Sequence, residues 1–246
     1  MYKRQAESLL YAGRWDEAIA EADTVGPAPH ASIPATDVLL MRQARLLALA
    51  WLGEREAEPG ELESMLEASR ASAHDVEEAF GLLIAALVTG QSSPGCAVEL
   101  LKRMLATTTR EAGAWGAALM PEAGRLAVRG SDPALAERLL GDVKGPLPVE
   151  ELARGSIAPL LAEARGEHET AAAGFADSAT GWHEFGVPYE EGHALLGQGR
   201  CLVALGRAPE AAASLAAAHE IFARLGARPA LEETEAAVAG GVFTRE

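Results

Sequence analysis

Residues 190–225 read EEGHALLGQGRCLVALGRAPEAAASLAAAHEIFARL, and this stretch decides the fold. Its first half sets apolar residues at Ala194, Leu195, Leu202, Val203 and Leu205. Beyond Gly206, Ala211, Leu215, Ala218, Ile221, Phe222 and Leu225 recur at three- and four-residue steps, which is one apolar face of an α-helix. The glycine between the halves suits a helix C-terminus, because the left-handed conformation there costs glycine least. Pro209 and Glu210 suit the first turn of the following helix. Small residues such as Ala211 and Ala212 let two antiparallel helices approach closely. The stretch is a helical hairpin.

The same beat runs through the whole chain. Gly13, Gly53, Gly90, Gly130, Gly166 and Gly206 stand 40, 37, 40, 36 and 40 residues apart. Gly13 opens GRWDEA, Gly166 opens GEHETA and Gly206 opens GRAPEA, while Gly130 opens GSDPALA with one extra residue. A period of this length marks helical solenoids. The pattern predicts helices over 2–12, 15–25, 35–52, 61–73, 75–89, 95–107, 110–129, 133–143, 149–165, 168–184, 189–205, 208–225 and 229–239. The Pro-rich segments 26–36 and 144–150 are connectors between hairpins, and no segment alternates cleanly enough for a strand. The expected architecture is all-α. It is one domain over 1–246, about six hairpins in a right-handed superhelix, with 229–239 as closing helix.

Composition agrees and narrows the function. The 246 residues carry 21 Lys+Arg against 36 Asp+Glu, a formal net charge of −15, which disfavours a phosphate-tracking surface and hence nucleic acid. Aromatics are 5%, and the apolar content is mostly Ala and Leu, which favour helices over sheets. Cys96 and Cys201 match no metal or redox spacing, and both are expected as reduced, buried thiols. The start, MYKRQAESLLYAGRWDEA, lacks the apolar run of a secretory signal. The longest apolar run, Phe80 to Val88, falls far short of the ~20 residues of a membrane helix. A soluble, cytoplasmic protein without membrane contact is expected.

The hairpins resemble tetratricopeptide repeats. With each periodic glycine at the turn, the repeat's small second-helix residue falls on Ala18, Ala171 and Ala211, and the packing position after it on Ala22, Phe175 and Leu215. Its first-helix glycine falls on Gly199. The middle units depart from the pattern, with Glu58, Gly95 and Leu135 at the small position. The phrases WHEFGVPYE, ALLGQGRCLVALGR and LGARPALEETEA are similar to the C-terminal region of large bacterial adenylate/guanylate cyclase-type regulators, in which an ATPase precedes a helical tail. That resemblance covers residues 110–240 and implies a regulatory context. The chain itself has no G-x-x-x-x-G-K-[ST] loop, so any cyclase or ATPase chemistry belongs to other domains.

No constellation for catalysis, cofactor or metal emerges. Gly197-Gln-Gly199 lies within a helical period with no strand before it, so close helix packing explains it better than a dinucleotide. Of the six histidines, His30, His74, His168, His183 and His219 read as solvated or capping, and His193 as a groove residue. The adjacent carboxylates Glu77-Glu78, Glu150-Glu151, Glu190-Glu191 and Glu232-Glu233 point in different directions on a helix and sit near helix starts, where negative charge is favourable. The nine carboxylates between Glu54 and Glu78 read as a solvated helix face, and Trp15, Trp51, Trp115 and Trp182 as hairpin packing.

These features predict a non-catalytic module that binds a protein or peptide on a surface lined by first helices and regulates a larger signalling machine. The expected groove residues are Gln43, Leu47, Phe80, Ile84, Met120, Ser156, Leu160, His193 and Arg200. The alternative is a small-ligand sensor with a metabolite in the groove. The segment 2–12 carries an apolar stripe with no polar cap before it, whereas 229–239 is rich in Glu and Ala. An uncapped solenoid end leaves interior surface in water, so weak self-association through the N-terminal end, or fraying there, is expected, as is a preceding repeat in a longer protein.

Overall fold

The computed structural model of the protein describes residues 2–25, 33–53, 60–72, 75–107 and 116–243, with side chains from Ala6 to Gly240. Thirteen α-helices and one short 3-10 turn account for nearly all of them, and no strand occurs among the described residues. The chain divides into two compact units, Met1–Ala112 and Gly113–Glu246.

The first unit holds α1 (Tyr2–Tyr11), α2 (Trp15–Val25), α3 (Ala35–Leu52), α4 (Glu61–Ala71), α5 (Asp75–Gly90) and α6 (Pro94–Thr107). Each helix packs on its sequence neighbour, and α3 also touches α1 and α5. Trp15 opens α2 and donates its indole N–H to the Leu10 carbonyl at 3.0 Å, closing the first hairpin. Its ring lies 5.3 Å from that of Trp51, which ties the hairpin to α3. Arg45 of α3 joins Asp23 of α2 and Glu61 of α4 at 2.7 Å each.

The second unit holds α7 (Met120–Arg129), α8 (Pro133–Asp142), α9 (Pro148–Ala164), α10 (His168–Phe185), α11 (Pro188–Ala204), α12 (Ala208–Leu225) and α13 (Arg228–Phe243). Its helices turn at Gly166, Gly186, Gly206 and Gly226, and all four glycines have positive φ. At Gly206 the next N–H, of Arg207, reaches back to the Leu202 carbonyl at 2.9 Å, so that carbonyl is satisfied at the helix end. The same bond recurs from Glu167 to Ala162, Val187 to Trp182 and Ala227 to Phe222. The core of this unit gathers Leu160, Ala171, Phe175, Cys201, Leu202 and Ala211.

Pro159 sits inside α9 and has no N–H to offer the Gly155 carbonyl one turn back. Ser178 of α10 supplies the missing donor, its hydroxyl reaching that carbonyl at 2.7 Å. Gly174 faces the proline ring, and a side chain there would crowd it.

Several sequence expectations change. The helix expected over 110–129 begins at Met120, behind the 3-10 turn Ala117–Leu119, and residues 108–115 lie outside the described residues. The turn expected at Gly130 places its left-handed residue at Ser131, with φ 62°, because the extra residue of GSDPALA shifts the turn by one. Gly90 is the last residue of α5 and is not left-handed. Cys96 is exposed rather than buried, since it lies on the outer side of the first turn of α6. The closing helix is longer than 229–239, running Arg228–Phe243. His30, His74, Trp115, Glu58 and most of Glu54 to Gly60 fall outside the described residues.

Ala171 and Ala211 are buried at the hairpin contacts of α10 and α12. Replacing either by Leu is expected to overpack its hairpin by ~1–3 kcal/mol. Leu at the exposed Ala173 serves as control. Denaturant midpoints check this, and equal midpoints for all three variants overturn the packing frame.

Candidate functional site

In the second unit α7, α9 and α11 are the first helices of successive hairpins and α13 follows as the closing helix; α7 touches α9, α9 touches α11 and α11 touches α13. α11 is the most enclosed. Added side chains at Gly192, Gly197 and Gly199 would meet Phe222 at 2.7 Å, Phe175 at 2.6 Å and Leu215 at 2.5 Å. The glycines of the Gly197-Gln-Gly199 segment therefore serve helix packing. Because α10 and α12 come so close, most of α11 between Tyr189 and Leu202 is withdrawn from water, polar residues included.

Burying a charge requires a partner, and the partners come from other first helices. Glu190, 3% exposed, receives both terminal nitrogens of Arg125 from α7, at 2.7 and 2.8 Å. This fork-to-fork geometry is the strongest form of such a pair. Arg200 spreads over two helices: it donates to Glu163 of α9 at 2.8 and 3.0 Å and to Glu233 of α13 at 2.9 Å. Two arginines thus tie α11 to α7, α9 and α13.

The four Glu-Glu pairs split as their helical positions require. Glu190 turns to Arg125 while Glu191 turns outward to His183 at 3.1 Å. Glu233 meets Arg200, whereas Glu232 meets Arg228 on the surface. Glu150 folds back to accept the Leu147 N–H at 2.9 Å, capping α9, and Glu151 stays exposed. Neither residue of Glu77-Glu78 is buried.

The cluster around Arg125 perturbs its neighbours. Burial disfavours the Arg125 cation, but the Glu190 charge, its hydrogen bonds and Glu122 more than compensate and hold the guanidinium charged. Burial, and then Glu122, raises the Tyr189 phenol well above its ordinary range. His193 is pushed well below 6.5, first by burial and then by Arg125, Arg129 and Arg200, so the ring is neutral at pH 7. Burial, with Glu163 nearby, pushes the Cys201 thiol up to about 12, which makes it a poor nucleophile.

His193 is 9% exposed, held edge-on between the rings of Tyr189 at 4.6 Å and Phe222 at 4.9 Å. Its Nε2 is buried and makes no hydrogen bond. An unsatisfied buried group of this kind costs ~1–3 kcal/mol and calls for an explanation.

The nine groove candidates scatter. Gln43, Leu47, Phe80 and Ile84 belong to the first unit, where all but the half-buried Phe80 are fully buried. Gln43 donates to Ser69 at 3.5 Å, with its Oε1 buried and without a hydrogen bond. In the second unit Met120 and Leu160 are core residues, and Ser156 accepts the Trp182 indole N–H at 2.7 Å, facing α10. Of the nine, His193 and Arg200 share one site. Glu122, Arg125, Arg129, Tyr189 and Glu190 belong with them and were not singled out as groove residues. Their one signal in the sequence was Arg125 and Arg129, an i, i+4 arginine pair on α7. Among the described residues no group of His, Cys, Asp and Glu could hold a metal ion, and no helix is long and apolar enough to cross a membrane.

Removing one partner of a buried pair leaves an uncompensated charge. Glu190→Ala is expected to destabilise the protein by ~3–5 kcal/mol, and the joint replacement Arg125→Met with Glu190→Leu to recover most of the loss. Chemical unfolding of the three variants checks this. The depressed His193 adds a pH dependence. Below 6.5 the unfolded ring takes up a proton that the folded ring refuses, so stability is full above 6.5 and falls as pH drops from there. Unfolding midpoints at about pH 7 and pH 5.5 read this slope, which His193→Phe should flatten.

No family model and no curated protein matches this chain. Among solved structures it is similar to the crystal structure of Rap protein complexed with competence and sporulation factor. The TM-score is 0.58 at 14% identity, over 94% of this chain and 68% of that chain. At that identity the likeness concerns fold, and it identifies the chain as an all-α array of tetratricopeptide-like hairpins.

Proposed function

We propose that this protein is a non-catalytic helical-repeat module that binds a protein or peptide partner and thereby regulates a larger signalling or transcriptional machine. The observation that carries the reading is the stack of hairpins whose first helices share one polar, cross-linked layer. Such arrays present extended side-chain surfaces rather than one reactive cleft. One solved structure of similar fold is a complex with competence and sporulation factor, which supports a binding role for this fold in general. The described titratable groups fit the same reading. Arg125 and the partly buried Arg200 are locked in ion pairs, Glu150 caps its own helix, and burial favours the neutral forms of His193 and Cys201. Among the described residues the buried thiol of Cys201 has no histidine hydrogen-bonded to it. The cyclase-type phrases in the C-terminal half favour a cyclase- or ATPase-containing regulator as the setting, with the chain acting in the cytoplasm.

Site-specific photo-crosslinking in cells tests the reading. A crosslinker at Arg129 or Arg154, on first helices, is expected to capture one defined partner, and one at Ala173, on a second helix, is not. Equal capture at all three positions, or none, overturns it. Hydrolysis or cyclisation of ATP by the purified chain, co-purifying through several columns, would show it to be an enzyme.

A further inference from the structure

Three large apolar side chains are exposed among the described residues: Leu147, Phe185 and Val238, at 47%, 48% and 44%. The packing of α9 on α10 brings the first two to one edge. Pro159 meets Gly174, the Gly155 carbonyl meets Ser178, and Leu152 meets Gly181, so each step back along α9 is matched by an equal step forward along α10. One further turn in this register sets Phe185 opposite Pro148, beside Leu147. Phe185 leans on the buried Trp182, with ring centroids 6.0 Å apart. The loop that carries Leu147 is fixed from inside. The buried Glu150 accepts the Leu147 N–H at 2.9 Å and fills the space that a side chain at Gly145 would need. Arg154 donates to the Val143 and Gly145 carbonyls at 3.0 and 3.1 Å. Leu147 is thus held outward by a built loop.

The flanks of this edge are acidic. Glu151 lies on the turn of α9 after Pro148, and Glu184 precedes Phe185; both are exposed, and neither makes an ion pair among the described residues. His183 is engaged by Glu191, and Lys144 is the loop's one cation. We propose that Leu147, Pro148 and Phe185 form a docking edge for a cationic amphipathic helix of a partner protein. Its apolar stripe covers the two exposed side chains, and its Lys or Arg residues meet Glu151 and Glu184. Two features select that occupant. Pro146 and Pro148 have no N–H and that of Leu147 is taken, so a partner strand cannot add here by backbone pairing. A second copy, itself of net charge −15, would set the same carboxylates against each other, whereas a cationic helix complements them. Anchors already held in place bind without an ordering cost. The edge supplies the chemistry of the partner for the binding role proposed above, on which it rests.

The probe is a fluorescently labelled amphipathic helix of about 18 residues made only of Leu and Lys, titrated against the whole chain and read by anisotropy. A second peptide carries Glu in place of every Lys. The expected result is saturable binding of the Lys peptide that weakens as salt is raised, and no binding of the Glu peptide. Leu147→Ser and Phe185→Ser should each weaken binding about tenfold, the scale of one lost apolar anchor. Val238→Ser removes similarly exposed apolar surface on α13 and should leave binding unchanged. Leu147 and Phe185 are half exposed, so their variants should keep the fold, which circular dichroism checks, and serine is a favourable N-cap at residue 147. Non-saturable binding, binding of both peptides, equal loss in Val238→Ser, or no loss in Leu147→Ser and Phe185→Ser overturns the proposal. Self-association that light scattering detects and Phe185→Ser abolishes also overturns it, and assigns the edge to a second copy. The titration uses the pure chain. Its failure leaves crosslinking capture standing, and failed capture leaves the titration standing.

Discussion

Three glycines on α11 govern the second unit, because each leaves space that a large side chain of a neighbouring helix fills. Phe175 of α10 enters at Gly197, and Leu215 and Phe222 of α12 enter at Gly199 and Gly192. A methyl group at any of these positions would overlap a ring or a branched chain, so the two second helices could not pack as they do. Their close approach makes α11 a core element rather than a surface helix. A core element cannot carry Glu190, His193 and Arg200 without desolvating them. The polar organisation of the unit follows from that steric fact.

These three polar residues, Glu190 and His193 buried and Arg200 partly so, meet desolvation in two ways. Glu190 and Arg200 keep their charges by pairing across helices, with Arg125, Glu163 and Glu233. His193 gives up its charge. A buried ion pair adds little net stability compared with a well-packed apolar pair, but separating its members is costly. These pairs therefore penalise any packing in which α7, α9 or α13 slides along α11. The neutral imidazole is cheaper to bury than a cation, yet it leaves Nε2 without a hydrogen bond.

Part of this was legible in the amino-acid order. His193 and Arg200 stood out because both lie on the first helix of the best-defined hairpin. The divergence of adjacent carboxylates also followed from helical geometry, and Glu190 and Glu191 do part company. The destination of Glu190 did not follow. Its partner Arg125 lies 65 residues away, two hairpins earlier, and no period in the sequence marks the two as a pair. The first-unit candidates Gln43, Leu47 and Ile84 were chosen by the same first-helix logic and lie deep in the interior. Position on a first helix fixes the register of a residue, while its exposure depends on how many other helices cover it.

The all-α class, most helix extents and the turns at Gly13, Gly53, Gly166 and Gly206 were determined by the sequence alone, because they rest on interactions within four residues along the chain. Apolar recurrence selects a helix face, and a left-handed glycine ends the helix at Gly166 or Gly206 wherever neighbours lie. Even the displaced turn at Ser131 has a local cause, the extra residue after Gly130. Burial of α11, the Arg125–Glu190 pair and the orphan nitrogen of His193 were decided only in the tertiary structure. Desolvation depends on what surrounds a group from every side, and that sum exists only once distant helices have come together.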